Sequence, residues 1–207
     1  MFVGGSVTGL LITDEAAGDP RATVDVDAIA EITSYAEYTA FGDRLRELGF
    51  ADDMSEGAPL CRWVQQRTIL DVMPLDEKIL GFSNRWYRAA MEAAVVRSIA
   101  EGLDVRIVTA PFFVATKLEA FKGRGKGDFL GSRDLEDLVS VVDGRVTLVT
   151  EVKAETAELL TYIRTEMSAL LAAEGFIDAL PGYLLPDAVS QSRISIVLQR
   201  IKELASL

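Results

Sequence analysis

Histidine is absent from all 207 residues of the sequence. Its absence excludes catalysis by Ser-His-Asp or Cys-His groups and every zinc site that uses a histidine ligand. There is one cysteine, Cys61, so the chain cannot form an internal disulfide framework, which is consistent with a reducing cytoplasm. We therefore expect a cytoplasmic protein whose chemistry depends on other side chains.

Long apolar runs are also missing. No stretch approaches the length needed to span a bilayer, and no signal peptide is visible, so we expect no membrane partner. Hydrophobic residues nevertheless make up 49% of the sequence, and a chain of this length can bury a substantial core. These features predict a globular domain, or a domain with a helical extension.

Positive charge is scarce. The sequence has 21 basic and 32 acidic residues, which gives a formal net charge of −11. A protein that held nucleic acid mainly through its overall field would be basic. Any contact with nucleic acid must therefore come from a local basic patch, and net charge alone leaves the function open.

The stretch from residue 2 to residue 32 contains the first candidate site. Phe-Val-Gly-Gly-Ser reads as the end of a strand that breaks into a turn containing Gly4, Gly5 and Ser6. Such a turn lets the backbone approach a phosphate closely and directs N–H groups at it from a helix start. An ordinary tight turn is the alternative interpretation.

Two acids follow in a predicted strand at residues 23–27. Asp25 and Asp27 lie two positions apart, so their side chains share one face of a strand. Two carboxylates beside an anion-binding turn suit magnesium with a bound nucleoside triphosphate. A solvated edge strand is the structural alternative.

Asp71 is a third candidate carboxylate. It interrupts the apolar run of residues 69–74, and an acid is costly to bury there unless it is paired or holds a cation. The alternative is that its face of the strand is exposed. With Asp25 and Asp27 nearby, Asp71 is the expected third acid of a two-metal site.

Lys117 is the most informative basic residue. Its spacing from Phe113, Val114 and Phe121 places it on the apolar face of a helix predicted over residues 111–121. A snorkelling lysine would explain this placement. A lysine that reaches a bound phosphate explains it equally, and we favour that interpretation.

A basic segment follows that helix. Lys122, Arg124 and Lys126 alternate with glycines, which predicts a flexible loop and a candidate RNA-binding patch. Beyond it, Ser132 is predicted to cap a helix whose first turn contains Asp134. Acids in a first turn are also ordinary partners of the helix dipole.

Periodicity and turn residues predict most of the other elements. They are a helix from a Ser34 cap to residue 48, hairpin strands at 60–64 and 68–73 joined by residues 65–67, strands at 95–99 and 105–108, one long helix from 151 to about 173, and a last helix from about 187.

The assembled motifs resemble those of the AbiEii/AbiGii-type nucleotidyltransferase toxins, within the polymerase-β-like nucleotidyltransferase superfamily. The segments around residues 70–74, 82–87 and 115–121 are also similar to short bacterial members, and the resemblance covers roughly residues 4–145. In order, the motifs are Thr23-x-Asp25-x-Asp27 after the glycine turn, Lys117-x-x-Ala120, and Arg133-Asp134-Leu135-x-Asp137.

The resemblance implies a role for each matched position. The turn at residues 4–6 would hold the triphosphate, and Asp25 and Asp27 would bind Mg²⁺ or Mn²⁺. Lys117 would contact the phosphates or assist the departure of pyrophosphate, and Asp134 would complete the nucleotide pocket. The resemblance also favours CTP as the substrate and implies that phosphorylation of Thr23 switches such a toxin off.

Two positions depart from the family pattern. The chain starts at the glycine turn, where related proteins usually have a preceding helix and a longer strand. Arg133 stands where a lysine is common. The departure at Arg133 does not affect the role implied for Asp134.

The expected fold is α/β (α+β), with a small mixed-sheet nucleotidyltransferase core over residues 1–110 and a helical region over residues 111–207 that completes the active site. The expected function is metal-dependent transfer of a nucleoside monophosphate to the 3′ end of tRNA by a toxin that has a cognate antitoxin. A protein side chain or an aminoglycoside is the alternative acceptor. A non-catalytic nucleotide- or partner-binding module is the third interpretation.

Overall fold

The computed structural model describes residues 1–125 and 127–207. Within them the chain divides into two compact units. The first comprises Met1–Val7 and Ala22–Val108, and the second comprises Thr8–Arg21 and Thr109–Leu207. The first contains a mixed sheet and the second is helical, so the predicted mixed α/β class is confirmed.

The sheet of the first unit has seven strands among the described residues. They are β1 (Phe2–Val3), β2 (Asp25–Ala30), β3 (Ala51–Asp52), β4 (Arg62–Gln65), β5 (Thr68–Pro74), β6 (Val95–Ala100) and β7 (Leu103–Ile107). Their order is β3-β4-β5-β2-β1-β7-β6. The pairs β1–β7 and β2–β5 are parallel, and the other neighbours are antiparallel.

The α-helices are numbered in chain order. They are α1 (Thr8–Leu11), α2 (Tyr35–Glu47), α3 (Glu77–Leu80), α4 (Tyr87–Glu92), α5 (Ala110–Arg124), α6 (Arg133–Gly144), α7 (Leu148–Lys153), α8 (Ala157–Ala172), α9 (Phe176–Ala179), α10 (Ala188–Ser192) and α11 (Ile194–Ala205). Short 3-10 turns occupy Gly5–Val7 and Leu180–Tyr183. No helix in the described ranges combines the length and apolar character that crossing a membrane requires.

Most of the predicted elements are present, with several corrections. The single last helix predicted from about residue 187 is instead two helices, α10 and α11. The helix predicted over 111–121 continues to residue 124 as α5. The long helix predicted from 151 to about 173 is instead two helices, α7 and α8, and Thr156 caps the second through its hydroxyl and the Leu159 N–H. Residues 23 and 24 precede β2, which begins at Asp25. The strand β3 was not predicted.

One buried apolar cluster of the first unit lies on one face of its sheet. Trp63 and Val72 project from β4 and β5 and pack with Leu45 of α2. The helix approaches closely because it has Gly42 there: a Cβ at that position would lie 2.9 Å from the Trp63 ring. Since residues alternate between faces of a strand, Asp71, which neighbours Val72, points to the opposite face.

The second unit is organised around α5. The first nine residues of this helix are all buried, including Phe113, Val114 and Leu118, as is typical of a helix at the centre of a bundle. The helices α6 and α8 pack against it, and α11 packs against both of these. A buried lysine in such a helix requires a charged partner.

Candidate functional site

The predicted glycine turn directly follows β1 and contacts β2. Gly4 has a φ of 70°, which only glycine adopts readily. A Cβ at Gly4 would lie 1.9 Å from Oδ2 of Asp27, so this carboxylate lies directly against the turn. The 3-10 turn begins at Gly5, and the Ser6 hydroxyl donates to the Val3 carbonyl at 3.2 Å. The turn and the Asp-x-Asp strand are therefore adjacent, as the motif order predicted.

The three predicted acids share one face of the sheet. Asp27 on β2 is paired in register with Asp71 on β5, and side chains of paired residues project to the same face. Asp25 lies two residues before Asp27 on the same strand and therefore shares that face. Asp71 is 7% exposed, so the alternative that its face is open to solvent is wrong.

Arg62 contacts two of these acids, Asp25 and Asp71. It is the register partner of Asp71 across the β4–β5 hairpin. Its Nε donates to Asp71 Oδ1 at 2.8 Å, and its Nη2 donates to Asp71 Oδ2 at 2.7 Å. The same Nη2 lies 3.3 Å from Asp25 Oδ2. Hydrogen bonding to Asp71 raises the pKa of the Arg62 guanidinium above its ordinary value.

The pairing of Arg62 with Asp71 was not predicted. The sequence does predict the β4–β5 hairpin, and the position of its turn sets which residues pair. The turn was placed at residues 65–67, which would pair Asp71 with Cys61. The structure has a two-residue turn at Gln66 and Arg67, with Gln65 paired to Thr68, and the register shifts by one residue. Such a shift exchanges the two faces of a strand.

Cys61 cannot serve as a nucleophile in the form present here. Its thiol is 4% exposed, and burial, with a contribution from the charge of Asp71, raises its pKa to about 12. The thiolate is the reactive form of cysteine. Its fraction at neutral pH is therefore negligible.

Thr23 contacts one of the acids although it lies outside the strand. Its hydroxyl donates to Asp25 Oδ1 at 2.7 Å and to the Asp25 carbonyl at 3.2 Å. A phosphate on this hydroxyl would place additional negative charge next to the Asp25 carboxylate. The predicted regulatory position therefore lies at the acid face.

The donor chemistry of this face suits a hard divalent cation, because carboxylate oxygens are preferred ligands of Mg²⁺ and Mn²⁺. As the side chains stand, however, no three histidine, cysteine, aspartate or glutamate side chains in residues 1–125 and 127–207 are arranged to hold a metal ion. The guanidinium of Arg62 instead provides the positive charge between Asp25 and Asp71.

Lys117 lies in the second unit and is 7% exposed. Its Nζ lies 2.6 Å from Asp137 Oδ2 and 3.3 Å from Asp134 Oδ1. It does not snorkel to solvent, so that alternative is wrong. In this structure its charge is balanced by the two acids of α6.

Two arginines complete the same cluster. Arg124 donates to both carboxylate oxygens of Asp134 at 2.8 Å, and Arg21 lies 3.0 and 3.1 Å from the two oxygens of Asp137. Burial alone would raise the pKa of Asp134, but the hydrogen bonds from Arg124 and the charge of Lys117 outweigh it and lower that pKa. Asp134 is therefore more than a partner of the helix dipole.

The basic segment differs from its prediction. Lys122 and Arg124 belong to α5 and do not form a loop. The Lys122 Nζ lies 2.7 Å from Glu166 Oε1, and Arg124 binds Asp134. Lys126 lies outside the described residues. The role of this segment in RNA binding stays a prediction. In the structure the charges of Lys122 and Arg124 are already paired with acids.

A cavity of about 460 Å³ lies within the second unit. Arg21, which binds Asp137, is on its wall together with Glu136 and Tyr183. None of the predicted functional residues in the described part of the chain lines it.

Comparison with models of known families gives no match, and comparison with curated proteins gives none either. The family resemblance therefore rests on the sequence motifs alone and stays a prediction.

Proposed function

We propose that this protein is a nucleotidyltransferase that transfers a nucleoside monophosphate from a nucleoside triphosphate to an acceptor hydroxyl. The observation that carries the proposal is the acid face of the first unit. Asp25, Asp27 and Asp71 lie together on neighbouring strands, and Asp27 contacts the glycine turn at Gly4. A turn that admits no side chain beside a carboxylate cluster is suited to a polyphosphate with its counter-ion.

The reaction is an in-line displacement at the α-phosphorus. The acceptor hydroxyl oxygen forms a bond to this phosphorus and loses its proton, while the bond to the bridging oxygen breaks and pyrophosphate leaves. The protein contributes mainly positioning and charge stabilisation. Asp25, Asp27 and Asp71 are the residues that would hold Mg²⁺ or Mn²⁺, and such an ion, when bound, would offset the charge of the triphosphate and the leaving group.

The finer assignment follows the family resemblance. We propose that the acceptor is the 3′ end of tRNA, that CTP is the preferred substrate, and that the protein acts in the cytoplasm as a toxin controlled by a cognate antitoxin. Lys117 is proposed to contact the phosphates and Asp134 to complete the nucleotide pocket. These roles require Lys117 to exchange at least part of its contact with Asp134 and Asp137 for a phosphate.

The test is incubation of the protein with total RNA and each labelled triphosphate in turn. Label should enter a tRNA-sized band, and Asp27→Asn should abolish the transfer. Asp52→Asn is the matched control, because Asp52 lies in the same sheet but is exposed on β3. Equal transfer by the parent protein and Asp27→Asn would refute the proposal.

A protein or small-molecule acceptor is the second candidate. The observation that favours it is the pairing of Lys122 with Glu166 and of Arg124 with Asp134, which reduces the positive charge available to RNA on a protein of net charge −11. Incubation of the same labelled triphosphates with cell extract depleted of RNA discriminates between them. Label in protein or in a small product, and none in tRNA, would select this candidate.

A further inference from the structure

The cavity of about 460 Å³ in the second unit has no part in the proposed function. Its volume lies within the range of cavities that hold small organic molecules, about 300–1,000 Å³. All of its lining residues belong to the second unit. The chemistry of its walls therefore indicates which class of molecule this unit can bind.

One wall of the cavity is a polar stripe of α6. Glu136, Ser140 and Asp143 line it, and their spacing of four and three residues places them on one side of that helix. Asp143 is 2% exposed, and both of its carboxylate oxygens accept from Nε of Arg193, at 2.9 and 3.0 Å. The position of this wall is therefore fixed by contacts within the unit.

Glu136 is an acid of this wall whose charge is incompletely paired. Its Oε2 lies 3.5 Å from Nε of Arg21, whose guanidinium lies closer to Asp137, at 3.0 and 3.1 Å. Within residues 1–125 and 127–207 the Glu136 carboxylate accepts no hydrogen bond. Asp19, which also lines the cavity, is exposed and has no ion pair in those ranges. Two carboxylates are therefore available to a positively charged group.

Residues from two other segments give the cavity apolar walls. They are Pro20, Tyr183, Leu184, Leu185 and Pro186. The Tyr183 hydroxyl donates to the Phe129 carbonyl, which holds the ring in place. Burial raises the pKa of Tyr183 to about 12, and the charges of Asp128 and Glu136 contribute, so the Glu136 carboxylate lies near this phenol. An aromatic ring beside a carboxylate suits an organic ammonium group.

We propose that this cavity binds a small organic amine, with the ammonium group at Glu136 and Asp19 and the apolar body against the proline and leucine side chains. An amine is favoured over an anion because Arg21, the one basic residue among the described lining residues, already binds Asp137. The net charge of −11 also attracts cations. A wholly apolar ligand would leave the two carboxylates desolvated and unpaired.

This inference does not depend on the proposed function, and its test requires no transfer activity. The probe is 2-phenylethylamine, which is an ammonium ion at neutral pH, titrated into the full chain by isothermal titration calorimetry. The parent should bind it at least about tenfold more tightly than 2-phenylethanol, because the alcohol has a similar shape but cannot form a charge-assisted hydrogen bond. Phenylacetate, which has the opposite charge, should bind more weakly still.

Glu136→Gln should weaken binding of the amine about tenfold and leave the affinity for the alcohol unchanged, a difference that a distorted cavity would not produce. Asp19→Asn should give a smaller loss, of about threefold, since solvent screens an exposed charge. It tests the site even if Glu136→Gln does not fold. Glu174→Gln is the matched control, because Glu174 is an exposed glutamate of the same unit that does not line the cavity. Its affinity for the amine should equal that of the parent.

Equal affinity of the parent for the amine and the alcohol would overturn the inference, as would the absence of amine binding. Equal amine affinities of the parent, Glu136→Gln and Asp19→Asn would also overturn it, because the amine would then bind elsewhere. Amine binding that is weakened in Glu136→Gln and kept in Glu174→Gln would support the site, whether or not the protein transfers nucleotides.

Discussion

The contact between Gly4 and Asp27 gives a residue-level test of the acid face. Gly4→Ala requires a left-handed alanine and also displaces the Asp27 carboxylate, which lies 1.9 Å from the position of the new Cβ. We expect a loss of transfer of about 100-fold, because a shift of about 1 Å in a reacting geometry can have this effect. The measurement is the initial rate of label transfer.

Gly57→Ala is the control for backbone strain. Gly57 also has a positive φ, of 80°, but a Cβ there has no neighbour within 4 Å. Both variants should lose roughly 1–2 kcal/mol of stability from the left-handed backbone, while Gly57→Ala keeps the parental rate per folded molecule. An equal loss of activity in both would remove the special role of Gly4.

The buried cluster around Lys117 makes stability depend on pH. The pKa of Asp134 is lowered in the folded state, so its contribution is fully present above its unfolded pKa and is lost as the pH falls through the folded value. Asp134→Asn should therefore be less stable than the parent at about pH 6, and the difference should shrink at about pH 3. Urea unfolding at both values measures it.

Asp178→Asn is the companion variant for that measurement. Asp178 lies exposed on α9 in the same unit, so its replacement should change the free energy of unfolding little at either pH. A difference between Asp134→Asn and the parent that stayed constant with pH would contradict the role of the ionised carboxylate.

At the level of elements, the β4–β5 turn decides which residues meet on the acid face. Gln66 is the one non-glycine residue with positive φ, at 54°, among residues 1–125 and 127–207. Gln66→Gly should raise stability by about 0.5–1 kcal/mol, since glycine adopts this backbone without strain. Thermal unfolding measures the change.

Arg67→Gly, at the neighbouring position of the same turn, is the control for Gln66→Gly. Arg67 has no positive φ in the structure, so glycine there only adds freedom to the unfolded chain and should lower stability. If both variants lowered stability equally, the left-handed backbone at Gln66 would not be the source of strain.

Helix α5 shows why the basic loop was predicted incorrectly. Glycines at 123 and 125 favour a loop locally, but the helix continues through Gly123 to Arg124. Lys122 binds Glu166 and Arg124 binds Asp134 at this end of the helix. Such pairings between residues distant in sequence are invisible to local pattern, and they override the local preference of glycine.

The pair of Lys122 and Glu166 provides a test of RNA capture. If Lys122 contacts tRNA phosphates, Lys122→Gln should weaken tRNA binding and reduce its salt dependence, whereas Glu166→Gln should strengthen binding by releasing the lysine. Filter binding of tRNA across salt concentrations measures both. Opposite effects support an RNA contact. If neither variant changes tRNA affinity, the pair has only a structural role.

At the level of the whole molecule, the net charge of −11 opposes the folded state. The range of electrostatic interaction falls from about 30 Å at 0.01 M salt to about 3 Å at 1 M. The midpoint of thermal unfolding should therefore rise with sodium chloride, because self-repulsion is screened.

A variant with less negative charge provides the comparison. Replacement of the exposed residues Glu56 and Glu174 by lysine should reduce the dependence of the midpoint on salt. A midpoint that fell with salt in both proteins would show that attractive ion pairs outweigh the general repulsion.

Features that depend on residues close in sequence could be predicted, whereas contacts between residues distant in sequence could not. The Asp-x-Asp strand, the cap at Ser34 and the start of α5 after Thr109 depend on neighbours in sequence and were predictable. The contact of Arg62 with Asp71 depends on a register that one misplaced turn residue changes. The pairing of Lys117 with Asp137 joins two helices, and periodicity on one helix cannot identify a partner on another.

The path of residues 8–21 has a consequence for the synthesis of the chain. This segment leaves the first unit after Val7 and belongs to the second. Asp14 binds Arg193, 179 residues later, and the N–H groups of Thr13 and Asp14 donate to the Gly144 carbonyl. At about 5–20 residues per second, translation takes roughly 10–35 s to cover that separation. During that time a nascent segment between the first two strands lacks these native partners, so a ribosome-bound chaperone has an early and long opportunity to bind it.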